Sequence, residues 1–360
     1  MAARHNGEAQ NGTAPRGTPP MAAAMQPQAG PFRQVTTTGD AAIKNQSVSE
    51  FILVGLASSP EMESLLLGAF AFIYTMALAG NFLLILAICT CKKLHTPMYF
   101  LLINLSLVNV LSISVTTTKM LQNLGTHRKS ISFYGCFAQV HLFVWALVTE
   151  TLILAFMAFD RYAAICHPLQ YTLIMRKEIC VGITVSIWFV GLAHSTFHLG
   201  LLLQLPFCSS NIINHFFCDI PLVLKLSCSD TSLNESLTSV AAAVFGICNG
   251  GLTLTSYFFI VRTVFRIPST QGKKKAFSTC SSHLIVASFY FSSGTYNYIT
   301  PNFGSFSEKD KFISLLYTVV TPVLNPIVYS LRNKDVKEAL KSLNGRGLLL
   351  QRPQWISKNV

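Results

Sequence analysis

The chain has 360 residues, of which only 12% are charged and 51% are hydrophobic, and its net charge is +12. Soluble globular proteins are about 25% charged, so this composition excludes an ordinary soluble domain and favours an integral membrane protein. The positive charge does not indicate a nucleic-acid partner, because the basic residues form short clusters between apolar runs and therefore mark membrane topology.

The amino-terminal segment, residues 1–44, is polar and rich in Gly, Ala, Pro, Thr and Gln. It lacks the apolar core of about 7–15 residues that a signal peptide contains. We therefore predict a disordered extracellular tail. Asn45 follows it and opens an Asn-Gln-Ser sequence, which is a glycosylation acceptor when it lies outside the cell.

Seven apolar segments follow the tail, each near or above the roughly 20 residues that cross about 30 Å of hydrocarbon. Because none shows the alternation of a β-barrel strand, all are predicted to be helices. The predicted fold is an all-α membrane protein with a bundle of seven transmembrane helices. The segments run approximately from Leu65 to Cys91, Met98 to Met120, Phe137 to Tyr162, Ile179 to Leu205, Leu237 to Val261, Phe277 to Ile299 and Phe312 to Leu331.

The distribution of Lys and Arg predicts the orientation of the bundle. With the amino terminus outside, 17 of the 27 basic residues lie on the cytoplasmic side. The carboxyl terminus is then cytoplasmic, with residues 346–360 as its tail. Just before that tail, Val336, Leu340 and Leu343 recur at helical spacing among lysines, which predicts a short amphipathic helix on the inner leaflet. An ordinary solvated tail is the alternative.

Three ionisable residues lie in the third segment, where a buried charge is costly. Asp160 and Arg161 fall at its cytoplasmic end, where an ion pair and water can satisfy both. Glu150 precedes Arg161 by eleven residues, about three turns, and so lies on the same helix face roughly 16 Å deeper. This predicts a polar file along the inside of the helix. Alternatively, Glu150 is protonated and hydrogen-bonded, and both interpretations can hold together.

Several motifs occur in a fixed order between Asn45 and Asn333. They are LHTPMYFLLINLS at 94–106, MAFDRYAAICHPLQY at 157–171, Ser256-Tyr257, KAFSTCSSHL at 275–284 and PVLNPIVYSLRN at 322–333. Together they closely resemble the odorant receptors, a family of rhodopsin-like G-protein-coupled receptors. Each motif is weak alone, whereas the ordered set is specific for the family.

The resemblance implies a receptor without enzymatic activity or a cofactor. Such a receptor would bind a small volatile odorant, activate an olfactory-type stimulatory G protein and raise cyclic AMP. It would be a multi-pass protein of the plasma membrane in sensory cilia, in contact with membrane lipid and dependent on trafficking chaperones. The resemblance also implies a G-protein switch, formed by Asp160, Arg161, Tyr162, Tyr257, Asn325, Pro326 and Tyr329.

The candidate ligand pocket lies between the helices. Phe143, Leu147 and Thr151 share one stripe of the third segment at four-residue spacing, with Val144 and Val148 beside them. By resemblance, the pocket also includes Gly294, Thr295, Tyr298 and Thr318. For any one of these residues, ordinary helix packing is the alternative. The outer half of the third segment has no acidic residue, and the seventh has no lysine before its cytoplasmic end, which argues against amine ligands and a retinal Schiff base.

Four cysteines are expected on the oxidising extracellular side. Four cysteines allow three pairings, and the resemblance selects Cys136 with Cys218, leaving Cys208 with Cys228. Alternatively, His215-Phe-Phe-Cys218-Asp219 is a metal site. A disulfide at Cys218 would exclude this alternative, because it would use the sulfur that the metal needs.

The chain departs from the family pattern at three positions. Asn109 stands where the family usually has Asp, so Asn109 and Glu150 form a weaker candidate sodium site than two carboxylates. Phe159 replaces the usual Tyr before the Asp-Arg-Tyr triplet, and Phe291 stands where the family often has Tyr.

Two other classes of protein compete with the receptor interpretation. A transporter or channel would show inverted repeats or rings of pore-lining charge, and neither is visible. An intramembrane enzyme would need a catalytic group at depth. His194 and His198 in the fourth segment have no evident acidic partner, so we interpret them as packing histidines. A receptor that senses chemicals outside the nose is a third alternative.

Overall fold

A computed structural model describes residues 48–345, apart from residues 58, 209, 267–268, 300–307 and 333. The predicted tail 1–44, the acceptor Asn45 and the cytoplasmic tail 346–360 lie outside the described residues.

Seven long helices, α1 to α7, and a shorter helix, α8, form the described part of the chain. The first four are α1 (Pro60–Thr90), α2 (Pro97–Thr126), α3 (Phe133–Cys166) and α4 (Lys177–Leu203). Helix α5 comprises Ser232–Ala242, a π-helical segment Ala243–Cys248 and Asn249–Arg266. Helix α6 is Thr270–Ile299. Helix α7 consists of Glu308–Leu315, a π-helical segment Leu316–Val320 and Thr321–Arg332. Helix α8 is Lys334–Gly345. Short helical pieces lie at Lys92–Leu94, Tyr171–Ile174 and Ile220–Leu224.

The seven helices confirm the predicted all-α bundle of a multi-pass membrane protein. Within the described residues, six of them are long and apolar enough to cross a membrane, and α6 is the exception. Helix α6 still has 30 residues, enough to cross, but serine, threonine and lysine residues dilute its apolar character. Every one of the seven helices begins before the predicted segment does, because an apolar run marks only the part of a helix that lies in hydrocarbon. Helices α1 and α4 end one and two residues before the predicted ends.

Capping residues explain where two of the helices begin. The Ser59 hydroxyl accepts a hydrogen bond from the Met62 backbone N–H at 3.3 Å, and Pro60 occupies the first helical position of α1. At the start of α3, the Ser132 hydroxyl accepts a hydrogen bond from the Gly135 backbone N–H at 3.1 Å. A capping oxygen satisfies one of the backbone donors that a helix leaves unpaired, while proline costs nothing at the first position.

A three-stranded sheet on the extracellular side was not predicted from the sequence. Strand β1 (Glu50–Leu53) lies in the middle, antiparallel to β2 (Ser130–Ser132) and parallel to β3 (Ile212–Ile213). Phe51 of β1 is fully buried among the rings of Phe133, Phe137 and Phe207. The sheet therefore ties the amino-terminal segment to the start of α3 and to the loop between α4 and α5.

Two disulfides hold the loop between α4 and α5. Cys136 at the start of α3 is bonded to Cys218, and Cys208 is bonded to Cys228. These are the two pairings that the resemblance implied. The first bond fastens the loop to α3 directly above the bundle.

Helix α8 packs against the bundle through its apolar stripe. Val336 and Ala339 are buried, and Lys93 pairs with Asp335 at 2.6 Å. The predicted amphipathic helix is therefore present, but part of the stripe that was assigned to the inner leaflet contacts protein instead.

Candidate functional site

A cavity lies between α3, α4, α5 and α6, beneath the loop that joins α4 to α5. A cavity between the helices of a bundle is a usual place for a small-molecule site. No charged side chain lines it among the described residues, and most of the lining is apolar, which suits small and weakly polar molecules. The lining residues are Val144, Leu147, Val148, Thr151, His194, His198, Ile220, Thr238, Ala241, Ala242, Phe245, Gly246, Tyr290, Phe291, Gly294, Thr295 and Tyr298.

Most of the predicted pocket residues line this cavity. They are Val144, Leu147, Val148 and Thr151 of α3 and Gly294, Thr295 and Tyr298 of α6. The predicted pocket residues Phe143 and Thr318 are not among the residues that line it. Phe143 is covered by the ring of Phe217 from the loop, with centroids 5.0 Å apart. Thr318 is buried, and its hydroxyl donates to the Ser314 carbonyl oxygen of its own helix at 2.7 Å.

Helices α4 and α5 contribute residues that the sequence analysis did not assign to the pocket. His194 and His198, interpreted there as packing residues, line the cavity from α4, and Phe245 and Gly246 line it from the π-helical segment of α5. The four-residue spacing of two histidines in an apolar helix was the available signal. The π-helical segment could not be foreseen, although such segments are frequent at functional sites.

A hydrogen bond across the cavity joins α3 to α6. The Tyr290 hydroxyl donates to the Leu147 carbonyl oxygen at 2.7 Å, and the Thr151 hydroxyl lies 3.4 Å from the Tyr290 oxygen. Tyr290 is buried. A ligand that displaces this ring would therefore change the contact between the two helices.

Asp219 fastens the loop above the cavity to α6. One carboxylate oxygen accepts a hydrogen bond from the Ile220 N–H at 2.8 Å, and the other accepts from the Tyr298 hydroxyl at 2.6 Å. Burial raises the pKa of Asp219 to about 7, although both donors act in the opposite direction. Because Ile220 and Tyr298 both line the cavity, this carboxyl group links the roof of the pocket to its α6 wall.

The predicted metal motif lies in the same loop. Cys218 is in a disulfide, and Asp219 is engaged by Tyr298. Burial, and then the charge of Lys311, lower the pKa of His215 to about 3. Among the described residues, no group of three or more His, Cys, Asp and Glu side chains could hold a metal ion.

A chain of amides crosses the middle of the bundle. The Asn81 amide donates to the Pro322 carbonyl oxygen at 2.9 Å, which satisfies the carbonyl that Pro326 leaves without its helical donor. The Asn109 amide donates to Asn81 at 3.3 Å, and the Asn325 amide donates to Asn109 at 3.0 Å. Asn81 was not assigned a role in the sequence analysis.

Glu150 is buried next to this chain of amides. Asn325 lies within hydrogen-bonding reach of its carboxyl group. The Glu150 Oε1 atom has no hydrogen-bond partner among the described residues, and the same holds for the Asn325 side-chain oxygen. Both oxygens can therefore accept a hydrogen bond or contact a cation, and they lie beside the predicted sodium site.

The Asp160–Arg161 pair lies at the cytoplasmic end of α3. Arg161 Nε donates to Asp160 Oδ2 at 3.0 Å, and an Arg161 Nη2 contact reaches the same oxygen. Asp160 is fully buried, and its other oxygen accepts from the Tyr171 hydroxyl at 2.8 Å. Tyr171 was not assigned a role in the sequence analysis. The Tyr162 hydroxyl lies 3.0 Å from His167 Nε2.

The two remaining switch tyrosines are buried in the bundle. The Tyr257 hydroxyl of α5 lies 2.6 Å from His283 Nδ1 of α6, and the two rings stack. The Tyr329 hydroxyl of α7 has no hydrogen-bond partner among the described residues. The first contact therefore joins α5 to α6, whereas Tyr329 is held by packing alone.

Comparison with known proteins identifies the family. The family model described as olfactory receptor matches residues 70–345. Olfactory receptor 13A1 of Homo sapiens is 45% identical over 302 residues, which are 84% of this chain and 92% of the relative. Olfactory receptor 1G1 of Gorilla gorilla gorilla is 44% identical, over 82% of this chain and 95% of the relative. Olfactory receptor 2C1 of Mus musculus is 41% identical, over 84% and 97%. The chain therefore belongs to the olfactory receptor family, a non-enzymatic family of seven-helix G-protein-coupled receptors.

Proposed function

We propose that this receptor binds small, weakly polar odorants in the cavity and activates an olfactory-type stimulatory G protein, which raises cyclic AMP. The observation that supports this proposal most directly is that α3 carries residues of both the cavity and the predicted switch, while α6 lines the cavity and contacts the switch residue Tyr257 through His283. Thr151 and Arg161 lie ten residues apart on α3, about 15 Å along the helix. Tyr290 and His283 lie seven residues apart on α6, about two turns.

The proposed mechanism is a two-state rearrangement, in which the ligand shifts the population towards the state that it binds better. Tyr290 contacts both the ligand cavity and Leu147, so ligand contact there alters the packing of α6 on α3. Outward movement of α6 would separate His283 from Tyr257. Tyr257 and Tyr329 would then turn inwards, and Arg161 would engage the G protein.

Sodium binding at Asn109 and Glu150 belongs to the same proposal. A single carboxylate with amide oxygens attracts the ion less strongly than two carboxylates would. The unpartnered oxygens of Glu150 and Asn325 supply further ligands of the kind that hard cations prefer. We expect sodium to stabilise the resting state only weakly.

The proposal places residues 45–345 as the receptor domain in the plasma membrane of sensory cilia. Asn45 would be glycosylated outside, and α8 would contact lipid of the inner leaflet through the part of its stripe that the bundle leaves uncovered. Delivery to the surface would depend on trafficking chaperones.

The test measures cyclic AMP in cells that express the full chain with an olfactory-type stimulatory G protein and a trafficking chaperone, against a broad panel of volatiles. Surface expression is measured in the same cells. We expect a dose-dependent response that Arg161→Ala abolishes. Arg128→Ala, which removes the same charge from an exposed extracellular position, should leave the response unchanged. Normal signalling by Arg161→Ala would contradict the proposed switch.

A further inference from the structure

Five hydroxyl groups line the cavity, and four of them donate their protons to other groups of the protein. The fifth belongs to Thr295. Thr151 donates to the Leu147 carbonyl oxygen, and Thr238 donates to that of Asn234, each at 2.8 Å. Tyr290 also donates to the Leu147 carbonyl oxygen at 2.7 Å, and Tyr298 donates to Asp219 at 2.6 Å. A hydroxyl group has only one proton to donate. None of these four groups can therefore donate to a ligand without losing a bond that it now makes.

His194 and His198 differ from these hydroxyl groups. They lie one turn apart on α4 with ring centroids 4.5 Å apart, and both line the cavity. The described residues give neither ring a hydrogen bond to another protein group. His198 is only 4% exposed, so its ring nitrogens depend on the cavity for partners. A ligand in the cavity can supply those partners.

The pair has both kinds of hydrogen-bonding capacity. A neutral imidazole carries one donor and one acceptor nitrogen. If one ring donates to its neighbour, the pair retains one free acceptor and one free donor. A hydroxyl group both donates and accepts, and so it matches the pair. An ether or a ketone can accept but cannot donate, and a hydrocarbon can do neither.

The rest of the lining suits the apolar body of such a ligand. Val144, Leu147 and Val148 form the α3 wall, and Phe245 and Phe291 lie on α5 and α6. The described lining has no cation that would pair with a carboxylate, and no anion that would pair with an amine. Neutral ligands are therefore favoured over both kinds of ion.

We propose that His194 and His198 form a polar subsite that selects alcohols and phenols, with the ligand hydroxyl bonded to the imidazole pair and its hydrocarbon body against α3, α5 and α6. This inference rests on the proposed function, because it names the ligand class of the same cavity. It also replaces the earlier interpretation of these residues as packing histidines.

The test uses matched sets of ligands that differ only at the polar group, such as 4-ethylphenol, 4-ethylanisole and 4-ethyltoluene, and 1-octanol with its methyl ether and with nonane. The full chain is tested with each set in the cyclic AMP assay. Purified receptor in nanodiscs is tested in parallel for thermal stabilisation by the same compounds. We expect the hydroxyl compound to be more potent than its ether by about 10- to 100-fold, which corresponds to one unsatisfied buried group.

The variants separate the polar contribution from the shape of the cavity. His198→Phe and His194→Phe should abolish the preference for the hydroxyl compound, whereas His198→Gln, which keeps a donor and an acceptor, should retain most of it. Phe245→Leu is the matched control, because it alters an apolar wall and should weaken hydroxyl and ether compounds equally. An ether as potent as its alcohol in the unmodified receptor, or a preference that survives both Phe variants, would overturn the subsite.

The two readouts also distinguish the subsite from the proposed function. Histidine-dependent stabilisation by alcohols without any cyclic AMP response would support the subsite and overturn the proposed signalling. A cyclic AMP response without a hydroxyl preference would support the signalling and overturn the subsite.

Discussion

Glycine residues decide how closely neighbouring helices approach at single points of this bundle. A Cβ atom on Gly80 of α1 would lie 3.0 Å from Pro326 Cγ and 3.2 Å from its Cβ. The proline ring cannot rotate away, because it is closed on the backbone of α7. The close contact also brings Asn81, the next residue, within reach of the Pro322 carbonyl oxygen.

We predict that Gly80→Ala destabilises the receptor by about 1–3 kcal/mol, because the added methyl group overpacks the contact with Pro326. The measurement is the unfolding temperature of purified receptor in detergent. Gly68→Ala on the same helix is the matched control, since nothing lies within 4 Å of its added Cβ. That change should be neutral or slightly stabilising, because alanine favours helix. Equal unfolding temperatures for the two variants would contradict the crowding at Gly80.

Asp219 and His215 have opposite effects on the pH dependence of stability. The pKa of Asp219 is raised from 3.8 to about 7, so between these values the folded loop holds a proton that the unfolded chain has released. This contribution makes the fold less stable as pH rises through that window. The pKa of His215 is lowered from 6.5 to about 3. Between these pH values the unfolded chain holds a proton on this histidine that the folded protein has released, so the fold loses stability as pH falls through that window. The two effects oppose each other where the windows overlap, between 3.8 and 6.5.

We predict that removing either group exposes the effect of the other. Asp219→Asn should lose stability more steeply than the unmodified receptor as pH is lowered through the overlap. His215→Asn should instead gain stability, relative to the unmodified receptor, over the same change. Unfolding temperature against pH measures both, and the comparison is the difference between each variant and the unmodified receptor. Parallel curves for all three proteins would rule out the assigned titrations.

At the scale of elements, the extracellular sheet holds the amino-terminal segment through one buried side chain. Phe51 is fully buried, whereas its neighbour Ile52 is 37% exposed on the same strand. Both residues pair with β2, and Ile52 also pairs with β3. The two side chains therefore offer a comparison in which the strand is kept and only the burial differs.

We predict that Phe51→Ala costs about 3–5 kcal/mol of stability and sharply reduces surface expression, because it leaves a cavity among Phe133, Phe137 and Phe207. Ile52→Ala should have a much smaller effect. Flow cytometry of unpermeabilised cells and the unfolding temperature of purified protein are the two measurements. Similar losses from both substitutions would show that the strand, and not the phenylalanine, provides the anchor.

The helices could be located from the sequence, whereas this sheet could not. Apolar length alone identifies a membrane-spanning helix, because the hydrocarbon thickness fixes the number of residues. The strands are two to four residues long and come from three distant segments. Their pairing depends on where the disulfide-bonded loop lies, which local sequence does not record.

The pocket, too, could be predicted only in part from the sequence. The face of α3 could be predicted, because its polar and apolar residues recur at helical spacing and the family motifs fix its depth. Helix α4 is apolar on most sides, and such a helix gives no periodic signal for the face that turns inwards. His194 and His198 were therefore recognised as unusual but not placed in the cavity. Phe143 shares the stripe of Leu147, yet Phe217 from the loop covers it.

At the scale of the whole molecule, the proposed mechanism depends on contacts at the cytoplasmic end of the bundle. Asp160 is shared by Arg161 of the same helix and by Tyr171 of the loop between α3 and α4. In the proposed mechanism, an arginine paired within its own helix is not available to a G protein. Each contact that keeps Asp160 in place would then favour the resting state, and its loss would shift the population towards the active one.

We predict that Tyr171→Phe raises basal cyclic AMP by about 2- to 10-fold at equal surface expression, because it removes a hydrogen bond worth about 0.5–1.5 kcal/mol from the resting state alone. Tyr134→Phe is the matched control, since that tyrosine is 82% exposed and lies on the extracellular side. Because the same shift should lower the ligand concentration needed for half-maximal response, basal activity and ligand potency should rise together. Unchanged basal activity in Tyr171→Phe would mean that Arg161 holds Asp160 without help from the loop. A rise in basal activity without a gain in potency would mean that the loop acts on the G protein directly and not through the shared equilibrium.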